Sequence, residues 1–109
     1  MFLIKQNDEL PNFQALLRTR VDDQNPQPVD LTGATVQFKM QSLGGGPLKV
    51  DAPAVILDAI TGSVSYEWVA ADTDTVGQYR AEFEVTFLSG RVLSFPTQGF
   101  LPVQVMPSI

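Results

Sequence analysis

The sequence predicts an all-β fold, an antiparallel sandwich of about seven strands in a single domain spanning residues 1–109. Apolar and polar residues alternate at period two in most segments, and no segment has a clear helical period. Turn-forming residues recur roughly every 8 to 12 positions, as in sandwich proteins. A chain of 109 residues is long enough to bury a core without disulfides or metals.

The strongest strand pattern spans residues 78–88. One row of side chains is apolar: Tyr79, Ala81, Phe83, Val85 and Phe87. The other row is polar: Gln78, Arg80, Glu82, Glu84 and Thr86. This alternation is typical of an antiparallel strand with one face on the core and the other exposed.

The N-terminal part contains one clear strand pattern and one ambiguous segment. Residues 2–5 suit an edge strand that ends in a polar turn before Pro11. Residues 13–20 fit either a strand or a helix, and we favour a strand because the clearer neighbouring segments are strands. Residues 22–28, rich in Asp, Asn and Pro, predict an exposed loop.

The middle of the chain alternates strands with glycine-rich turns. Residues 35–40 predict a strand, followed by a flexible loop tip at residues 44–47. A short strand at 48–50 and a fuller one at 54–57 precede a turn at 58–62. The next segment, residues 63–68, places three large or apolar side chains on one side: Val64, Tyr66 and Trp68.

The C-terminal part begins with a tight hairpin at Ser89 and Gly90 that leads into a strand at residues 92–95. Pro96 and Gly99 then interrupt the ladder. The last strand resumes with a row of alternating apolar residues: Leu101, Val103 and Val105.

Tyr79 indicates which kind of sandwich to expect. In immunoglobulin-like domains, a tyrosine near the start of the penultimate strand hydrogen-bonds back to the preceding corner, which here is residues 72–77. Ala81 stands where an antibody domain would have its second cysteine, and Trp68 lies on the strand before the corner. We therefore predict an immunoglobulin-like but not antibody-type sandwich, with Tyr79, Gly77, Trp68 and Gly62 as fold-determining residues.

Composition excludes several classes of function. The net charge is −5 and the seven basic residues are scattered, so we expect no nucleic-acid partner. No apolar run is long enough to span a bilayer, and residues 1–5 lack a basic leader, so we expect a soluble protein without a signal peptide. Histidine and cysteine are absent. We predict no catalytic residues, no metal and no cofactor, and therefore no enzyme.

Three acidic pairs have more ordinary interpretations than catalysis or metal binding. Asp72 and Asp74, beside two threonines, offer too few carboxylates for calcium and are typical of turns, as are Asp22 and Asp23. Glu82 and Glu84 lie about 7 Å apart on one strand face, a spacing compatible with a glycosidase pair. Because they alternate with core residues, we expect that row to face solvent or a partner.

Two further features have a structural and a functional interpretation. The glycine run at residues 44–46 lacks the Lys and Ser/Thr of a phosphate loop, so we expect a loop tip that could become ordered in an assembly. Trp68, Tyr66 and Phe83 could form a sugar-stacking platform, but aromatics at period two are more typical of a core.

Both chain termini contain candidate docking strands. An apolar terminal strand either pairs within its own sheet or is offered to a neighbouring protein by β-augmentation, and both alternatives stay open here. The candidate docking residues are Phe2, Leu3, Ile4, Leu101, Val103 and Val105.

Two ordered motifs resemble a known family. The first is DLTGATVQFKM at residues 30–40. The second runs from Thr61 and Gly62 through the segment YEW at 66–68 and GQYRAEFEV at 77–85 to Gly90 and the Phe95-Pro96 pair. Over about two-thirds of the chain, this combination is similar to phage virion domains related to the N-terminal domain of the baseplate upper protein of siphophages.

The resemblance implies a non-enzymatic structural or adaptor protein of a tailed bacteriophage, docking in the tail or baseplate. Its expected partners are other virion proteins, in several copies within a symmetric assembly built in the bacterial host cytoplasm. Relatives carry C-terminal extensions that hold receptor-binding proteins. Because this sequence ends at Ile109, we expect it to share only the docking module with those relatives.

Two alternative functions stay open. One is a capsid decoration or head-fibre protein, because small immunoglobulin-like domains also stand on phage heads. The other, from a different class, is a carbohydrate-binding module that uses Trp68 or the glycine loop.

Overall fold

A computed structural model describes residues 1–20 and 26–109. Within those residues the chain forms eleven short strands and a single 3₁₀ turn at Ala70–Thr73. The strands are β1 Phe2–Lys5, β2 Phe13–Leu16, β3 Arg18–Arg20, β4 Pro26–Pro28, β5 Thr35–Ser42, β6 Leu48–Pro53, β7 Val55–Asp58, β8 Ser63–Tyr66, β9 Gly77–Thr86, β10 Val92–Phe95 and β11 Leu101–Met106.

The strands form a large and a small sheet in a sandwich-like arrangement, so the all-β prediction is confirmed. The large sheet has six strands in the order β1-β11-β9-β5-β6, with β10 also paired to β9. The small sheet has the order β2-β8-β7, and β3 pairs with β4 in a separate hairpin. The described strands outnumber the predicted seven in part because residues 13–20 are divided into β2 and β3 and because residues 26–28 of the predicted loop form β4.

The two N-terminal strand predictions have different outcomes. The ambiguous residues 13–20 form β2 and β3, which confirms the strand interpretation. Phe13 and Leu17 are buried while Leu16 is 55% exposed, whereas a helical arrangement would bury Leu16 with them. Residues 2–5 form an edge strand as expected, but β1 pairs with β11 in parallel within a sandwich that was predicted to be antiparallel. Parallel neighbours need a long connection, and most of the chain lies between these two strands.

The predicted loop at residues 22–28 is only partly within the described residues, since positions 21–25, including Asp22 and Asp23, lie outside them. Its C-terminal end was wrong, because Pro26–Pro28 pairs with β3. The Val29 amide donates to the Leu17 carbonyl oxygen at 3.0 Å. Because backbone groups alternate along a strand, those of Gln27 also face β3, whereas the backbone nitrogens of Pro26 and Pro28 face away from it. Proline is tolerated in a strand at such positions, where no amide is needed for the ladder.

The core lies between the inner faces of the two sheets. The inner row of β9 is buried at Tyr79, Ala81, Phe83 and Val85, as its alternation predicted. Phe38 on β5 stacks on the Tyr66 ring with centroids 4.4 Å apart and meets Phe83 at 5.2 Å. Trp68, which follows β8, contacts both Phe38 and Tyr66 edge-on. Aromatic packing of this kind adds to the area term that stabilises the fold.

The corner before β9 has the hydrogen bond that the sequence predicted. The Tyr79 hydroxyl donates to the Thr75 carbonyl oxygen at 2.6 Å. The tyrosine differs from the prediction in one respect: it lies on the third strand from the C-terminal end and not on the penultimate one, because β10 and β11 are separate strands. The corner feature of immunoglobulin-like sandwiches is nevertheless present.

Candidate docking surfaces

The open side of β1 is the first candidate surface. The Gln6 amide donates to the Met106 carbonyl oxygen at 2.7 Å, which directs the backbone groups of Ile4 and Gln6 toward β11. Because backbone groups alternate along a strand, those of Leu3 and Lys5 point the opposite way. The Lys5 carbonyl accepts the Asp8 amide at 3.0 Å. Among the described residues no strand pairs with that side of β1, so its Leu3 backbone groups are available.

The six candidate docking residues differ in how far they are buried. Ile4, Val103 and Val105 are at most 2% exposed and pack within the core of this chain. The Phe2 ring stacks on Phe13 with centroids 4.6 Å apart, and Leu101 is half-buried. Leu3 is 50% exposed. Docking through these strands stays a prediction, and Leu3 is the member that a partner would reach most easily.

The outer face of the six-stranded sheet is the second candidate surface. Lys39 on β5 pairs with Glu84 on β9 at 3.0 Å, and this bond raises the pKa of the lysine. On the neighbouring strand, Asp51 accepts a hydrogen bond from Gln37 at 2.9 Å. The row that contains Glu82 and Glu84 thus lies on an outer sheet face where an ion pair and an amide hydrogen bond join neighbouring strands.

The acidic cluster after β8 has turn-forming partners. Asp72, which is 8% exposed, accepts the Tyr66 hydroxyl at 2.5 Å and the Val69 amide at 3.0 Å. Desolvation and the Asp72 bond raise the pKa of Tyr66. Asp74 pairs with Lys49, and that bond lowers the pKa of its carboxyl. Asp72 and Asp74 therefore have the structural role that their sequence context favoured.

The glycine loop between β5 and β6 is a hydrogen-bonded turn. The Gly45 amide donates to the Ser42 carbonyl oxygen at 2.8 Å, and the Gln41 side-chain amide donates to the Gly46 carbonyl oxygen at 2.8 Å. The hydrogen bond from Gln41 to Gly46 could not be predicted from the sequence, because nothing in the segment indicates that the Gln41 side chain turns back onto the loop.

The aromatic residues considered as a sugar platform are inside the molecule. Trp68 and Tyr66 are each 3% exposed, and Phe83 is fully buried. No ring face of these three residues is therefore available for stacking on a sugar, and their role is in the core.

Two of the predicted fold-determining glycines have different surroundings. A Cβ at Gly62, where φ is +73°, would lie 2.6 Å from the Leu17 carbonyl oxygen and 2.9 Å from that of Val29. A Cβ at Gly77 would lie 3.8 Å from the Tyr79 ring, an ordinary contact, but φ there is +156°, which L side chains rarely adopt. Neighbouring backbone atoms thus exclude a side chain at Gly62, whereas at Gly77 it is the backbone conformation that disfavours one.

The described residues contain no group of three or more acidic side chains arranged to hold a metal ion. In the same part of the chain, no helix has the length and apolar character needed to cross a bilayer.

Comparison with known families identifies the fold and the biological setting. The sequence profile described as the BppU N-terminal domain matches residues 4–100. The chain belongs to this family. BppU is the baseplate upper protein, so this BppU N-terminal domain is a structural component of a bacteriophage virion and its baseplate. No individual curated protein matches the chain.

The family match covers the second candidate surface but only part of the first, since Leu3 lies before the first matched residue. It extends from Ile4 in β1 to Phe100, just before β11, and therefore includes the outer sheet face and the corner before β9. It confirms the family that the two motifs indicated. The match indicates that the domain belongs to a phage baseplate, but it does not identify which surface of the domain docks there.

Proposed function

We propose that this BppU N-terminal domain is a non-enzymatic adaptor that docks in the tail or baseplate through the open side of β1. One observation supports this most directly: a terminal strand at a sheet edge exposes unpaired backbone groups and the Leu3 side chain. A partner strand can add to such an edge with main-chain hydrogen bonds. The partners are other virion proteins, and several copies occupy equivalent positions in a symmetric assembly formed in the host cytoplasm.

A proline at Leu3 tests the backbone part of this proposal. Leu3→Pro removes an amide that faces the open side, while Ile4 and Gln6 keep their bonds to β11. We expect the variant to fold with nearly unchanged stability, since proline is tolerated where its nitrogen faces away from the ladder. Its amount in purified phage particles, measured by quantitative mass spectrometry, should fall strongly.

Leu3→Ala is the matched control, because it removes the exposed side chain and keeps the amide. Near-normal incorporation of Leu3→Ala with loss of Leu3→Pro would assign docking to backbone pairing. If folded Leu3→Pro enters particles at the wild-type level, the open side of β1 is not the docking element. Labelling of the chain in intact particles would then distinguish baseplate from capsid attachment.

A further inference from the structure

A groove crosses the outer face of the six-stranded sheet, apart from the open side of β1. Its volume is about 350 Å³. Leu48 of β6 and Phe100, just before β11, lie among its lining residues and are 45% and 43% exposed. Arg80 also lines the groove, and its strand β9 lies between β11 and β6 in the sheet. The groove thus combines two exposed apolar side chains with a fixed positive charge.

Arg80 is held in place by a relay through Gln41. The two residues lie opposite each other on β9 and β5, and Arg80 Nε donates to Gln41 Oε1 at 2.8 Å. The amide nitrogen of the same Gln41 side chain donates to the Gly46 carbonyl oxygen. Both ends of the amide are therefore used, so the arginine is oriented by the sheet and by the glycine loop before any partner arrives.

Within the described residues, no carboxylate neutralises the charge of Arg80. The described residues include two ion pairs that occupy Lys39 and Lys49, while no carboxylate of this part of the chain lies within 4.0 Å of the Arg80 guanidinium. Nε is used by Gln41, which leaves the terminal nitrogens as donors. A guanidinium presents its donors in a planar fork that matches a carboxylate, and such bonds are among the stronger ones at interfaces.

We propose that this groove binds a carboxylate side chain of a partner virion protein, flanked by an apolar residue that contacts Leu48 or Phe100. The inference rests on the proposed docking function and specifies the chemistry of one partner segment. Glu82 also lines the groove and lies opposite Lys39. Its negative charge disfavours a second carboxylate at that end, so the partner's acid is directed to Arg80.

The test uses phage particles that contain the full chain with Arg80→Gln, Arg80→Lys or Arg91→Gln. Arg91 is exposed on the β9–β10 turn, outside the groove, and provides the matched control. Arg80→Gln removes the charge, and we expect it to weaken retention in the particle about tenfold or more. Arg91→Gln should be retained like the wild type, and thermal unfolding of the isolated variants checks that both are folded.

Zero-length carbodiimide cross-linking of particles identifies the partner's acid. In Arg80→Lys particles, the new ammonium should couple to an Asp or Glu of another protein, as detected by mass spectrometry. If Arg80→Gln is retained as tightly as Arg91→Gln and Arg80→Lys forms no intermolecular cross-link, the groove does not bind a carboxylate. Absence of the wild-type chain from particles would instead contradict the proposed docking function.

Discussion

The Tyr79 hydroxyl donates a 2.6 Å hydrogen bond to the carbonyl oxygen of Thr75, four residues earlier in the chain. This bond joins the start of β9, the central strand of the large sheet, to the corner that leads into it. The tyrosine ring is at the same time part of the buried core, with 6% of its surface exposed. Tyr79 thus links the position of a loop to the packing of the sandwich.

Removal of that hydroxyl should destabilise the fold measurably. Tyr79→Phe keeps the ring in the core but leaves the Thr75 carbonyl oxygen without its donor, which costs about 1–2 kcal/mol of unfolding free energy. Urea denaturation monitored by circular dichroism gives the value. Thr75→Ala is the control, since it retains the accepting carbonyl and should cost less. Equal losses for both variants would argue against a special role of the corner bond.

The two tyrosines should make the fold sensitive to alkaline pH. Burial raises the pKa of both Tyr66 and Tyr79 in the folded state above the ordinary value, and the Glu84 bond raises that of Lys39. A raised folded-state pKa means that the unfolded chain loses protons first. The contribution of these groups to the free energy of unfolding is therefore fully present below about pH 10 and decreases as the pH rises beyond it.

Spectrophotometric titration at the phenolate band measures this effect directly. The chain has only two tyrosines. We expect both to ionise at a higher pH in the folded protein than a free tyrosine does, and to ionise together with unfolding. Tyr66→Phe should make the decrease in stability above pH 10 less steep. Two tyrosines that titrate normally while circular dichroism stays native would contradict the prediction.

Gly62 is the position where a methyl group should be most damaging. Gly62→Ala places a Cβ against two backbone carbonyl oxygens, of Leu17 and Val29, at a positive φ that disfavours an L side chain. We expect a loss of at least about 2 kcal/mol, measured by chemical denaturation. Gly44→Ala is the matched control, because nothing lies within 4 Å of its Cβ, and its stability should be nearly unchanged. Comparable losses at both sites would disprove the argument.

Trp68 should behave as a core residue in solution. Its fluorescence should be shifted to short wavelength, resist quenching by acrylamide and move to longer wavelength on unfolding. Trp68→Ala should destabilise the fold by about 3–5 kcal/mol, whereas Trp68→Phe should cost less because it refills part of the volume. Strong quenching in the native protein would show that the indole is accessible, and would reopen the carbohydrate-binding alternative.

Much of the local structure could be predicted from the sequence because a strand at a sandwich surface imposes period two on its residues. The inner row of β9, the hairpin after it and the corner tyrosine all follow from local pattern. The site was less predictable. Ile4, Val103 and Val105 were predicted to dock because they are apolar residues of terminal strands. Pairing of β1 with β11 instead places them in the core of the same chain.

By itself the sequence determined the all-β class, the inner row of β9 and the family, since all three depend on the order of residues along the chain. Only the tertiary structure decided that, among the described residues, no strand pairs with the open side of β1 and no carboxylate pairs with Arg80. The parallel pairing of β1 joins segments about a hundred residues apart, and the Arg80–Gln41–Gly46 relay joins two strands through one side-chain amide. Contacts of such long range follow from how the strands are ordered in the sheet, which local periodicity does not encode.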